Sequence, residues 1–395
     1  MVAGVSLLLT ILAQSAIADS LYRLALRLPE SGLAVEARAH PLGIREAVSE
    51  AMARSIRPGG EEALEAARRL AGAYAAAWRD SFLTRQVDRF QRSEVRQRAG
   101  KIRADSLRRA GVTAFSRAGP GAAIALWRRA LGSYRALADT AGMAGTLDNI
   151  GAGLVRMGRL DSAEVYLLRA RALAVAVGDI RVEANAAGHL GDLSAERGAL
   201  IEARERYAEA GALRSRIGDT RGLAADHNNL GLLAQDLGDL EEARRQFETA
   251  LGVNRREGRP ELAATNLVNL AGLASLEGDF FRGGSLYRDA VATWRRREEW
   301  AEAAVALHGL AQLELRRGDY PAARVAAAEA LAIYERTGPA ADALQVRRLL
   351  ADVLAAAGDI QGALDELQLA QTLATTAGAG PRVGAALALS RADLA

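Results

Sequence analysis

The chain has 395 residues, 50% hydrophobic and 25% charged, with only 5% aromatics and a formal net charge of +3. It contains no cysteine, which excludes disulfides and thiolate metal sites but leaves the compartment open, since a large helical protein needs no bridges. The basic charge, all arginine apart from Lys101, is uneven: residues 79–117 hold eleven basic and four acidic side chains, a net of +7 against −4 for the remainder.

Met1 to Ala18 is the one membrane-directed stretch. It is apolar through Val5-Ser6-Leu7-Leu8-Leu9-Thr10-Ile11-Leu12-Ala13, and Ala16 and Ala18 provide the small residues of a cleavage site before Asp19. The run is short for a membrane span, so an export signal is expected and no stable membrane span is favoured. No Lys or Arg precedes it; if it is not a signal, a cytoplasmic location follows. An exported location, periplasmic or secreted, is the working expectation.

Residues 19–100 read as an N-terminal helical extension or cap. Leu21 to Leu26 starts a helix that Leu28-Pro29 interrupts, Pro41 opens another, and Arg57-Pro58-Gly59-Gly60 is a firm break. A long helical tract is expected from Glu61 to about Arg98, then a second from Lys101 to Arg117. No strand-like alternation of useful length appears, so the expected class is all-α.

From residue 101 to 378 one pattern recurs seven times at a spacing of 40, without insertion. Its marks fall at 118, 158, 198, 238, 278, 318 and 358, and an alanine stands twelve residues beyond each: Ala130, Ala170, Ala210, Ala250, Ala290, Ala330 and Ala370. The unit 221–258 shows its grammar. Gly238 suits a left-handed helix end, Asp239 an N-cap, and Glu242 the other half of a capping box. Ala243, Phe247, Ala250 and Leu251 share one face of the second helix. Turns of the same kind are Gly158-Arg159, Gly278-Asp279, Gly318-Asp319 and Gly358-Asp359 within units. Between units they are Gly178-Asp179, Gly218-Asp219, Gly338-Pro339 and Gly378. Small residues at 123, 163, 203, 243, 283, 323 and 363 mark close helix crossings, with Gly283 the single glycine. Residues 379–395 fall in register with another first helix and read as a C-terminal cap. Such a period predicts a solenoid, which grows by stacking and presents an extended surface to partners.

The pattern resembles the tetratricopeptide repeat in a lengthened, 40-residue form. Leu190-Gly191 and Leu230-Gly231 match the family's Leu-Gly; Ile150-Gly151, Leu270-Ala271, Leu310-Ala311 and Leu350-Ala351 match it loosely. Its aromatic falls on Trp127, Tyr207, Phe247 and Tyr287, whereas Leu167, Ala327 and Leu367 depart from it. The family's early tryptophan and its proline after the second helix are absent. The resemblance implies a right-handed superhelical solenoid of antiparallel helix pairs whose first helices line a concave groove for an extended peptide or short helix. Carried onto this chain, the groove positions form a ladder of Asn149, His189, Asn229 and Asn269, interrupted by Gly309. Asp148, Asn228 and His308 lie beside it, with Asn185 and Asn266 one turn earlier.

Carboxamides at this spacing suit the peptide groups of an extended ligand, because each both donates and accepts. The alternative is that they bond to a neighbouring helix or the preceding turn. The four histidines, His40, His189, His227 and His308, are too far apart to make a metal site. Arg156, Arg316 and Arg348 suit peptide carboxylates or a solvated face equally well. The basic segment 79–117 has only three phenylalanines among its eleven basic residues, not a regular interleaving of stacking aromatics, so a solvated helix face is favoured over nucleic acid. There is no Walker loop, H-E-x-x-H or G-x-S-x-G motif. The expectation is therefore a non-enzymatic protein–protein interaction scaffold. It has no cofactor, no metal and no small-molecule substrate, and its partner is a protein or peptide. The alternatives are a sensor region of a signalling system and, further off, a nucleic-acid-binding adaptor working through residues 79–117.

Overall fold

The computed structural model describes residues 16–338 and 340–376, and every regular element among them is a helix. The chain divides into two compact units, with described residues 16–233 in one and 234–376 in the other. The proposed cap at 379–395, the turn at Gly378 and most of the proposed signal lie outside the described residues.

The first unit opens with helix α1 (residues 16–25), then α2 (Glu30–Ala39), α3 (Pro41–Ser55), α4 (Glu61–Trp78) and α5 (Phe82–Arg92). Proline sets two of the starts as expected. Pro29 precedes α2, and Pro41 occupies the first turn of α3, where its missing N–H leaves no gap in the helix. The five helices close on one core that buries Leu21, Leu33, Ile44, Leu70 and Tyr74. The single tract expected from Glu61 to Arg98 does not exist. Arg79 takes a left-handed conformation (φ 52°), and the Asp80 carboxylate accepts from the Phe82 N–H at 2.8 Å, which restarts the chain as α5. A capping box between Glu94 and Gln97 then starts the next helix at Val95, six residues before Lys101.

The repeated pairs follow: α6 (Val95–Ala118) with α7 (Pro120–Ala136), α8 (Thr140–Arg156) with α9 (Leu160–Val177), and α10 (Ile180–Glu196) with α11 (Leu200–Arg216). The division between units falls inside α12 (Thr220–Asp236). The second unit continues with α13 (Leu240–Arg256), α14 (Pro260–Leu276), α15 (Phe280–Arg296), α16 (Trp300–Arg317), α17 (Tyr320–Thr337), α18 (Ala340–Ala356) and α19 (Ile360–Thr376). Within a unit, first helices of successive pairs touch: α6 with α8 and α8 with α10 in the first, α14 with α16 and α16 with α18 in the second.

The packing follows the repeated small residues. The alanines at 130, 170, 210, 250, 290, 330 and 370 have no solvent exposure, and neither do those at 123, 163, 203, 243, 323 and 363. Where Gly283 breaks that series, a Cβ would lie 2.5 Å from Leu313 Cδ1, so a leucine from α16 occupies the missing methyl's space. The Leu-Gly positions have a similar cause. A Cβ on Gly191 would sit 2.7 Å from the Tyr207 ring, and one on Gly151 would sit 2.5 Å from Leu167. The glycine admits the large residue sixteen positions later.

Turns repeat more often than their glycines. Gly158, Gly198, Gly238, Gly278, Gly318 and Gly358 are all left-handed. The intervening turns at 178, 218 and 258 are too, and Ala138 (φ 50°) and Glu298 (φ 59°) adopt the same conformation without being glycine. Gly338 departs from expectation: its backbone is extended (φ −97°, ψ 168°), the conformation favoured before a proline. Asp139, Asp179, Asp219, Asp239, Asp279, Asp319 and Asp359 each accept from the N–H three residues on, at 2.9–3.4 Å. Each such cap contributes about 1 kcal/mol. At Asp239 its own N–H is taken by the Ala234 carbonyl, while the Glu242 carboxylate accepts from Arg245 and Gln246.

The extension follows the turns of the first pairs. Arg89 donates to the Ala138 carbonyl at 2.6 Å and Arg85 to the Val177 carbonyl at 3.2 Å. Trp78 covers the turn at Gly218 so closely that a Cβ there would be 2.1 Å from its ring. Gly218 thus answers two demands, a φ of +65° and the indole above it. Part of the basic segment 79–117 is therefore spent on helix-end carbonyls, where a cation also meets the negative end of the dipole.

Candidate functional site

The residues singled out by the repeat lie on first helices: Asn149 on α8, Asn185 and His189 on α10, Asn228 and Asn229 on α12, Asn266 and Asn269 on α14, and His308 on α16. All are half-buried except Asn266, which is buried. They belong to two units, and each set is taken by itself.

In the first unit the row is tied together by bonds between neighbouring helices. His189 Nδ1 lies 2.9 Å from the buried carboxylate of Asp148 on α8. Burial opposes the charged imidazole, but the Asp148 charge and hydrogen bond outweigh it, so the His189 pKa stands above its ordinary value. Asn229 donates to Asp192 at 3.5 Å, and the Tyr207 hydroxyl donates to the same carboxylate oxygen at 2.8 Å. Asn185 accepts from Arg214 at 3.3 Å; Arg214 also donates to the Gly222 carbonyl at 3.0 Å and pairs with Asp226. Burial raises the Asp226 pKa above the usual carboxylate range, with Arg214 opposing. Asn149 differs from the rest: its Nδ2 is buried and has no hydrogen-bond partner.

In the second unit, Asn266 accepts from Asn254 on α13 at 2.9 Å, an interior carboxamide pair. His308 lies 3.1 Å from Gln312, and burial lowers its pKa, Asp342 opposing. Gly309 interrupts the series because Tyr287 lies against it, 2.6 Å from where a Cβ would be. Arg156 and Arg348 are exposed, and so is Arg316, which donates to Ser275 on α14 at 3.0 Å.

Sequence reading missed Asp192 and the Arg214–Asp226 pair, which organise the row from outside the ladder positions. The available signal was a carboxylate inside an otherwise apolar helix, as in Leu190-Gly-Asp192-Leu193 and Ala224-Ala-Asp226. Buried charges demand partners. Among the described residues no group of three or more His, Asp or Glu is placed to hold a metal, and no helix is long and apolar enough to cross a membrane.

Two tetratricopeptide repeat models match the sequence, one over residues 228–257 and one over 261–336, well under half of the chain. The fold is tetratricopeptide-like. Solved structures agree with that assignment. A STAND (signal transduction ATPase with numerous domains) protein with a tetratricopeptide repeat sensor, from Pyrococcus horikoshii, superimposes with TM-score 0.59 at 15% identity. That match covers 85% of this chain and 52% of the other, so this chain spans about half the length of that protein. A Rap protein complexed with Competence and Sporulation Factor gives TM-score 0.54 at 15% identity, over 93% of this chain and 99% of that one. BtubC (BKLC) from P. vanneervenii gives 0.51 at 25% identity, over 56% and 91%. No curated protein matches the sequence.

Proposed function

We propose that the chain is a non-enzymatic interaction scaffold, built from a lengthened 40-residue form of the tetratricopeptide repeat, that receives a peptide or protein segment along its first helices. The observation that carries this reading is the Asn149 amide, buried without a partner in a row whose other members are held by Asp148, Asp192 and Arg214. Burying such a donor unanswered costs about 1–3 kcal/mol, which a ligand carbonyl would recover. The fixed neighbours mean that little side-chain entropy is lost when the ligand arrives. The test uses Asn149→Ala in the full chain: proteins retained by the wild type from native extract are identified, then their affinity for both forms is measured. The reading expects a loss of roughly tenfold with helicity unchanged. Equal affinity would sink it.

A sensor role is the second reading, supported by the likeness to a STAND protein that has a tetratricopeptide repeat sensor. Export is proposed as well, on the apolar run and small residues of Met1 to Ala18. Ala18 is buried in the α1 core and Asp19 bonds Arg54 at 2.7 Å, so cleavage between them would trim the helix while keeping the ion pair. A mature chain beginning at Asp19 is the expected result of N-terminal sequencing, and an intact Met1 end would refute it.

A further inference from the structure

Outside the polar row, a cavity of about 130 Å³ opens where α3 and α5 of the extension meet the first repeated pairs. Four cations line it, Arg45, Lys101, Arg108 and Arg181, against two carboxylates, Asp105 and Asp179. The carboxylates are already committed. Asp179 pairs with Arg45 at 2.9 Å and accepts from the Val182 N–H; Asp105 accepts from the Tyr134 hydroxyl at 2.5 Å and pairs with Lys101 at 3.4 Å. Asp80 and Asp139, behind the lining, also face Arg45 and Lys101, at 4.0 and 2.9 Å. Among the described residues no ion pair reaches Arg108 or Arg181. Arg108 lies against the Tyr134 hydroxyl oxygen, and Arg181 has a buried Nε with no partner. The Nη1 of Arg45, whose side chain is only 10% exposed, is a second buried N–H without one.

We infer that this cavity is a binding site for a phosphate-class dianion, free or as a small monoester, held by Arg108 and Arg181 with Arg45 beside them. Among the described residues neither the Arg108 nor the Arg181 guanidinium has a carboxylate in direct contact. Asp105 and Asp179 act on Arg108, and Asp179 and Asp219 on Arg181, only at longer range, so a bound dianion would supply the direct partner that both lack. The planar fork of arginine suits tetrahedral oxyanions, which it binds through paired N–H bonds. Burial and the like charges of Arg45 and Arg108 hold the Arg181 pKa below its ordinary value, the condition an incoming anion relieves. Size narrows the ligand: the cavity equals about four water volumes at roughly 30 Å³ each, enough for one oxyanion with a small substituent. Gly145 lines the cavity beside Arg108: a Cβ there would meet Val182 Cγ2 at 3.6 Å and Arg108 Nη1 at 4.0 Å, so a larger side chain would enter the space. Because the three arginines come from α3, α6 and α10, the ligand would tie the extension to the first pairs. The site does not depend on whether the first-helix row holds a partner.

Calorimetric titration of the full chain tests this, with inorganic phosphate and glycerol 3-phosphate as probes and acetate and chloride at matched ionic strength as controls. Saturable binding of one phosphate per chain is expected, with a raised Tm and weaker or no binding of acetate. Tighter binding of glycerol 3-phosphate would identify a monoester as the ligand, and tighter binding of phosphate the free ion; either outcome supports the site. Arg181→Gln and Arg108→Gln should each weaken binding by at least roughly tenfold. Gly145→Leu keeps every charge and should abolish binding by filling the space, which covers the case of an arginine variant that does not fold. The inference is overturned if phosphate binds no better than acetate, or if Gly145→Leu and the arginine variants, once shown to be helical, bind as the wild type does.

Discussion

Two histidines on first helices are shifted in opposite directions, and the cause is a single neighbour. Burial opposes the charged form of His189, but the facing Asp148 carboxylate outweighs it and raises the pKa above 6.5, whereas burial lowers His308 with only Asp342 opposing. The signs give opposite stability trends. His189 contributes stability that is fully present below its unfolded pKa of about 6.5 and fades as pH rises through its folded value. The His308 contribution is present above that same unfolded value and fades as pH falls towards its lower folded one. NMR titration of the two rings should therefore place His189 above His308, and Asp148→Asn should move His189 down past its unfolded value while leaving His308 in place. An unmoved His189 would show that another group sets its charge. Sequence alone found both histidines, but not their difference, because Asp148 acts across the gap between α8 and α10.

At the scale of the helix, glycine has two unrelated uses in these repeats, and substitution separates them. Gly191 lies where a methyl would be 2.7 Å from the Tyr207 ring, and that ring is held by its bond to Asp192. Gly132, on the exposed side of α7, has nothing within 4 Å of its would-be Cβ. Gly132→Ala should stabilise the protein by up to about 1 kcal/mol through helix propensity. Gly191→Ala should destabilise it, because overpacking of about 1–3 kcal/mol exceeds that gain. Urea midpoints of the two variants, moving in opposite directions, are the expected outcome; movement in the same direction would mean the ring can step aside. The turns carry the same distinction. Ala138 and Glu298 hold left-handed positions that glycine fills elsewhere, so the turn geometry is imposed by the pairs on either side and glycine only makes it easier.

Over the whole molecule, the 40-residue period of the sequence carries most of the helix-pair pattern. Alanine at fixed intervals fixed which faces meet, Gly-Asp pairs fixed where helices stop and restart, and the absence of strand alternation fixed the class. These are local demands, legible because each repeat states them again. The extension is not repeated, and there the reading failed: a tract expected as one helix breaks at Arg79-Asp80, and the first repeated helix begins at Val95. Tertiary packing decided these points, since Trp78, Arg85 and Arg89 must meet the turns at 218, 178 and 138, which no straight helix from Glu61 to Arg98 would meet in this way. The candidate site divided similarly. Period placed the Asn and His series on first helices, but only the fold showed that most of those side chains bond to neighbours, while the Asn149 amide is buried without a partner. Only the fold, too, gathered Arg45, Arg108 and Arg181 around one cavity, because they lie 63 and 73 residues apart and electrostatic proximity has no period to read.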